Sequence, residues 1–236
     1  MLNQFKRDPE FNSGERNNSD LKNIRECEIT PEEIKRIEGS KMDINDKINL
    51  LLTKGGLKSA SKIVLVIKTQ QDEGSTEHMN EAEVQEALSI IQASGLPYRF
   101  KDREVIRESY RTKTDPGVER FFRREQMEIL IGRSPEDLKF LERALESKSD
   151  EMFGKALGFP PTAVEAFVGK RKRLNRHSLP KDMQQSDGIL FSSPTLSQDN
   201  WEEEIKHGER RGEFIKNISL PLYHEMRSFA LTNLED

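Results

Sequence analysis

The sequence predicts a mixed fold, α+β or α/β, in which helices cover a small sheet of three to four strands. The run Lys62–Lys68 is β-branched and apolar between two lysines, which is typical of a buried strand. A helical apolar pattern then opens at Asn80 and closes at Gly95, and Tyr98–Lys101 alternates as a second strand does. This strand–helix–strand order predicts a βαβ unit, with a right-handed connection if the two strands are parallel.

Four helix starts carry their own capping signals. Residues 30–33, Thr-Pro-Glu-Glu, combine an N-cap threonine, a proline in the first turn and a glutamate that completes a capping box. Asp43 caps a second helix, Asn80 with Glu83 opens a third, and Ser134 before a proline opens a fourth. These signals predict helices that begin at defined residues on both sides of the first strand.

Because Lys62–Lys68 shows no alternation, we expect both faces of this first strand to be buried, with a polar loop over Thr69–Met79. The remaining strands are predicted from shorter patterns. The segment Glu104–Tyr110 fits either a strand or a helix, and Gln126–Gly132 fits another strand.

The stretch Glu151–Phe167 has the clearest local pattern of the chain. An apolar helical face ends at Gly158, which enters the left-handed conformation without steric penalty, and two prolines then start a second helix. The pattern predicts a tight helix–Gly-Phe-Pro-Pro–helix corner, with Phe159 filling the core at the bend. The alternative is a notch for a small ligand or a partner, because Gly154 and Gly158 let another backbone come close.

Residues 154–167, Gly-x-x-Leu-Gly-Phe-Pro-x-x-Ala-Val-x-Ala-Phe, resemble a block in a family of uncharacterised prokaryotic proteins. That family often has Gly-Tyr-Pro followed two residues later by cysteines, where this chain has Thr162 and Ala163. The resemblance therefore implies no thiol or metal chemistry here, and it brings no known activity with it.

Composition and pattern together predict four segments. Residues 1–40 form a flexible or partly helical extension, 41–169 the α/β core domain, 170–199 a basic run with a long loop, and 200–236 C-terminal helices that pack on the core. In the last segment, glycines recur on the stripe of apolar residues, which indicates close helix packing; the stripe is Trp201, Ile205, Gly208, Gly212 and Ile215.

Cysteine content and hydropathy bound the setting. Cys27 is the single cysteine, so the chain forms no internal disulfide and holds no Cys-rich metal site. Charged residues make up 34% of the chain and apolar residues only 33%, which indicates that part of it is not packed. No run approaches the ~18 apolar residues of a membrane span, and no apolar signal peptide opens the chain, so we expect a cytoplasmic protein without a membrane partner.

Positive charge is concentrated in the middle of the chain, although the net charge is −4. Five cations are predicted to bind an anion, and we call them the basic run: Lys170, Arg171, Lys172, Arg173 and Arg176. The arginine-rich segment 99–124 precedes them, and the segment 199–236 is acidic. This segregation favours a non-catalytic binding or regulatory domain for nucleic acid or an acidic protein. The alternative is charge that is paired within the molecule or solvated.

The second functional hypothesis is an enzyme of unknown class. Its pocket would lie at the loop after the first strand, with His78 and the carboxylates of Asp72, Glu73 and Glu77 as acid–base candidates. No Walker A loop, dinucleotide fingerprint, zinc-protease motif or nucleophile elbow is present, so the sequence predicts no cofactor and no metal.

Overall fold

The computed structural model describes residues 29–71, 74–112, 115–192 and 195–232. Within them lies one antiparallel sheet with the strand order β2-β1-β5-β3, and β4 also pairs with β5. The strands are β1 Ala60–Gln71, β2 Gly74–Glu77, β3 Tyr98–Phe100, β4 Glu104–Thr112 and β5 Asp115–Gly132. Helices surround this sheet and form the C-terminal part, which confirms the α+β class. Residues 1–28 of the predicted flexible or partly helical extension lie outside the described part of the chain.

The βαβ unit is present with a third strand between its two arms. Both β1 and β3 pair antiparallel with β5, so they run parallel to each other on either side of it. The sheet has five strands where three to four were predicted, because two segments are more extended than their polarity indicated. Residues within Thr69–Met79 form the β1–β2 hairpin rather than a loop, and Glu104–Tyr110 belongs to β4.

The helices begin where their capping signals predicted. Thr30 and Asn80 each form a complete capping box, and the side chains of Asp43 and Ser134 accept hydrogen bonds from backbone N–H groups of the first turn. The helices are α1 Pro31–Gly39, α2 Ile44–Lys54, α3 Glu81–Ala93, α4 Pro135–Glu146, α5 Asp150–Ala156, α6 Pro161–Phe167, α7 Lys181–Gln184, α8 Asp187–Leu190, α9 Trp201–Ile218 and α10 Leu220–Thr232.

The main core lies on one face of the sheet. Ile63, Leu65 and Ile67 of β1 are buried there against α2, α3, α9 and α10. The opposite face of β1 is only half-buried at Val64 and Val66, so the prediction that both faces are buried was wrong. The half-buried valines line a cavity. A second cluster, from α4 and α5, covers the other face farther along the sheet.

The corner forms as predicted at its turn. Gly158 follows α5 with φ +72°, the left-handed conformation that favours glycine. A Cβ atom there would lie 3.2 Å from the backbone nitrogen of Ser59, so the missing side chain also lets the corner contact the segment before β1. The corner therefore holds α5 and α6 against the start of the sheet.

The C-terminal helices pack closely through glycine. A Cβ atom on Gly208 would lie 2.1 Å from the carbonyl oxygen of Gly188, and one on Gly212 would lie 3.0 Å from the Phe191 ring. Residues 176–190 were predicted to belong to a long loop. They form a 3-10 turn and the short helices α7 and α8. Ile189 of α8 is buried against α9. No helix in the described part of the chain is long and apolar enough to cross a membrane.

Candidate functional site

A cavity of about 350 Å³ opens where the corner meets α2, α8, α9 and α10, and we call it the corner pocket. Its apolar walls include Ile48, Leu52 and Phe191. Its polar side chains are Asn45, Asn49, Lys58, Lys62, Ser192 and Arg211. Among the described residues that line it there is no carboxylate, whereas three basic side chains line it: Lys58, Lys62 and Arg211.

Lys58 is the more unusual cation of this pocket. It lies between α2 and β1, and only 6% of its surface is exposed. Its Nζ donates a hydrogen bond of 2.8 Å to Oδ1 of Asn49, and it forms no salt bridge within the described residues. Burial lowers the pKa of Lys58 to about 7, and the nearby charge of Arg211 acts in the same direction, while Asp46 opposes it. The charged form of Lys58 is therefore less favoured than that of a surface lysine.

Arg211 supplies the second buried cation, with 4% of its surface exposed. Its Nη2 donates to the carbonyl oxygen of Gly158 at 3.3 Å, and no carboxylate pairs with it in the described part of the chain. Burial lowers its pKa to about 10, to which the neighbouring Arg210 contributes, so it stays charged at neutral pH. A guanidinium has five N–H donors, so most of them remain available to a ligand.

Phe159 lies close to both of these cations. Lys58 Nζ lies 5.6 Å and the Arg211 Cζ 5.7 Å from the centre of its ring, within the range of cation–π attraction. The prediction that Phe159 fills the core was wrong, since its ring lines the corner pocket. It also lines a second, apolar cavity of about 180 Å³ between α5 and α6, next to Gly154. Two cavities therefore adjoin the corner at Phe159, while the binding of a small ligand or a partner in such a notch stays a prediction.

One buried carboxyl group lies near the pocket without lining it. Asp46 of α2 accepts a hydrogen bond of 3.2 Å from the backbone N–H of Val64. Burial raises its pKa to about 7, while the positive charges of Lys58 and Lys62 oppose the shift. Lys62 itself pairs at 2.8 Å with Glu128. The fixed positive charge of the pocket is therefore carried chiefly by Arg211.

Models of known protein families, curated proteins and solved structures gave no match to this chain.

The basic run lies outside the corner pocket and contacts other parts of the molecule. Lys170 Nζ pairs with Glu151 at 2.6 Å. Arg171 pairs with Glu165 of α6, and its Nη1 lies 2.7 Å from Asp199. These cations hold α5, α6 and the segment before α9 together at the surface.

The other arginines of the basic run contact neutral oxygen atoms. Arg173 donates to the carbonyl oxygens of Ala166 and Phe167, and its guanidinium lies 5.5 Å from the centre of the Phe167 ring. Arg176 is half-buried and donates to the hydroxyl of Ser192 at 3.1 Å. Arg176 thus lies behind a residue that lines the corner pocket, and burial lowers its pKa.

Lys172 is exposed, and only its backbone carbonyl has a described partner, the backbone N–H of Gln198. The basic run is consequently a set of cations that mostly bridge neighbouring segments. Its predicted binding of nucleic acid or an acidic protein stays a prediction.

The residues of the enzyme hypothesis are only partly brought together. A cavity of about 620 Å³ beside the β1–β2 hairpin is lined by Asp43, Thr69, His78 and Arg124 among others. The Nε2 atom of His78 lies 2.9 Å from the hydroxyl of Thr69. Glu77 is exposed in β2 and does not line this cavity. Asp72 and Glu73 lie outside the described residues, so catalysis at this hairpin stays a prediction.

The carboxylates near α9 have structural partners. Glu204 is buried, accepts hydrogen bonds from the backbone and hydroxyl of Ser197 at 2.8 and 2.6 Å, and accepts another from Thr162 at 2.5 Å. Thr162 therefore ties the corner to α9. The part of the chain that the structure describes contains no group of three or more potential metal ligands.

The two buried cations were not predicted from the sequence. Arg211 stands on the glycine-rich face of α9, next to Gly212 and one turn after Gly208, and a cation on a buried stripe was an available signal. Lys58 follows a Gly-Gly-Leu turn and has no pattern that distinguishes it from a surface lysine.

Proposed function

We propose that this protein binds a small anionic molecule in the corner pocket. The observation that carries the proposal is the pair of buried cations, Lys58 and Arg211, which share one cavity and form no salt bridge within the described residues. Removing a cation from water is unfavourable, and proteins normally compensate for it with a paired acid. A bound anion would supply the missing partner.

The walls of the pocket indicate the chemistry of this anion. Arg211 presents planar N–H donors, which suit a carboxylate or a phosphate. Ile48, Leu52 and Phe191 add apolar surface beside it, which favours a ligand with a hydrocarbon or aromatic part. A volume of about 350 Å³ is near the lower end of the ~300–1,000 Å³ found for ligand sites. A small amphipathic anion therefore fits better than a polymer.

Binding of simple probes tests the proposal. Phenyl phosphate and benzoate carry an anion and a ring, and benzyl alcohol is a neutral control of similar size. We expect the two anions to raise the melting temperature of the full chain, because a ligand that binds only the folded state stabilises it. Isothermal titration calorimetry then gives the affinity.

Two adjacent arginines provide matched variants. Arg211→Met removes the buried guanidinium, whereas Arg210→Met removes an exposed one from the preceding position of the same helix. We expect Arg211→Met to weaken benzoate binding about tenfold or more and Arg210→Met to leave it unchanged. Arg211→Lys, which keeps the charge, is the check on folding and should retain part of the affinity. Equal binding by all variants, or no response to either anion, would overturn the proposal.

Salt dependence separates this site from the basic run. Exposed phosphate contacts weaken steeply as salt rises, whereas a buried contact is screened less. A parallel titration with single-stranded nucleic acid uses the variant Lys170/Arg171/Lys172/Arg173→Ser. Salt-sensitive binding of nucleic acid that this variant loses would place a polymeric partner on the basic run. The same variant should still bind benzoate.

A further inference from the structure

Lys58 combines three properties that a surface lysine lacks. Its amine is buried, it opens onto a cavity, and its hydrogen-bond acceptor, Asn49 Oδ1, is neutral. Lys54, the nearest comparison, is equally buried but forms a salt bridge with Glu33. An amine without a carboxylate partner has no such stabilisation of its charged form.

The charged groups around Lys58 act in different directions. Arg211 of α9 disfavours its protonation, Asp46 of α2 favours it, and Lys62 of β1 lies in the lining of the same pocket with its own acid partner. The net effect is a lowered pKa, as described above. A lysine that is desolvated next to another cation is an established way to obtain a nucleophilic amine at neutral pH.

We propose that Lys58 is a reactive amine that condenses with the carbonyl group of a small oxo acid whose anionic group is held by Arg211. This inference rests on the proposed function, since it assigns the ligand of the same pocket to a chemical class. Both cations lie within 6 Å of the centre of the Phe159 ring and line the same pocket, so a ligand lying against that ring can reach both.

The condensation requires no redox partner. The lone pair of the neutral amine adds to the carbonyl carbon, and one proton moves from the nitrogen to the carbonyl oxygen to form a carbinolamine. The second proton of the nitrogen and the hydroxyl group then leave as water, so amine plus carbonyl yields imine plus water. Asn49 accepts one N–H of the amine, which leaves the lone pair free for this attack.

Reductive trapping tests the proposal on the full chain. Phenylpyruvate is the probe, sodium cyanoborohydride reduces any imine to a stable amine, and mass spectrometry locates the added mass. We expect a single adduct on Lys58, with Lys54 and the surface lysines modified at least about tenfold less. Phenyllactate, which has a hydroxyl in place of the carbonyl, should give no adduct.

Further arms separate the roles of the two cations. Lys58→Arg should abolish the adduct. Arg211→Met should reduce trapping of phenylpyruvate about tenfold more than that of phenylacetaldehyde, which has no anionic group and so reports only the effect of Arg211 on the protonation of Lys58. Benzoate should protect Lys58 from modification in the wild-type chain, a readout that needs no variant.

The outcomes distinguish this inference from the proposed function. Benzoate binding that Arg211→Met weakens, together with no adduct on Lys58, would overturn the inference and leave the function in place. Absence of both binding and adduct would overturn both. Adducts spread over many lysines without protection by benzoate would also overturn the assignment of Lys58.

Discussion

The corner pocket and the basic run contain cations of the same kinds in opposite environments. Arg171 and Lys170 are exposed and already pair with carboxylates of neighbouring helices. Lys58 and Arg211 are buried, and neither has a carboxylate partner in the described part of the chain. The density of positive charge along the sequence is highest in the basic run, yet the proposed anion site is the corner pocket.

The two regions differ in the step at which the cation is desolvated, which is anion binding in the basic run and folding in the corner pocket. An anion that approaches the basic run must compete with existing acids and with solvent, and exposed pairs contribute only ~0–1 kcal/mol. Folding has already removed the hydration of Arg211 before an anion enters the corner pocket. Binding therefore does not include the unfavourable desolvation of this cation. Four predictions test this contrast.

The largest expected effect concerns the buried lysine. The folded-state pKa of Lys58, about 7, lies below its ordinary value of 10.5, so between these values the unfolded chain binds more protons. Stability should therefore rise as pH increases from 7 to 10, by about 2–4 kcal/mol. Lys58→Met should lack this rise, while Lys170→Met should keep it. Urea unfolding at several pH values measures the free energy of unfolding of each variant. The same pH dependence in wild type and Lys58→Met would contradict the lowered pKa of Lys58.

The second prediction concerns the turn that builds the pocket wall. Gly158→Val should destabilise the protein by roughly 1–3 kcal/mol, because valine is strained at φ +72° and its side chain would press on Ser59. Gly169→Val is the matched control, since Gly169 also has a positive φ but has no atom within 4 Å of its Cβ position. Thermal unfolding should show the larger loss at Gly158. Equal losses would mean that backbone strain alone, without the contact to Ser59, matters.

The corner shows how far local sequence rules reach. The cap at Gly158 and the start of α3 at Asn80 were predicted because each depends on residues within one turn. The pocket was not, since Lys58 and Arg211 come from distant parts of the chain and meet only after α9 packs on α2. The hairpin at Thr69 was missed for a similar reason, as its pairing with Thr76 outweighs a polar composition typical of loops.

A third effect, smaller than that at Lys58, is expected at Asp46. Burial raises its pKa to about 7 from an ordinary 3.8, so the folded chain binds more protons between these values and stability falls as pH rises through them. The pKa of about 7 already includes the opposing effects of the hydrogen bond from Val64 and the positive charge of Lys58, so we expect a loss of about 2–3 kcal/mol between pH 4 and 7. Asp46→Asn should be insensitive to pH in this window by urea unfolding. A wild-type curve that stays flat there would indicate that Asp46 is hydrated.

The smallest effect is expected in the basic run. Lys170 and Lys155 both contact the exposed carboxylate of Glu151, and these hydrogen bonds lower the pKa of Glu151 to about 2. Because solvent and salt screen this group, Lys170→Met should leave the melting temperature within about 1 °C of wild type. Its clearest consequence should be a rise in the pKa of Glu151, measured by carboxyl-carbon NMR titration. If Lys170→Met instead unfolded the protein at moderate temperature, the basic run would stabilise the corner as strongly as the buried contacts do, and the contrast between the two regions would fail.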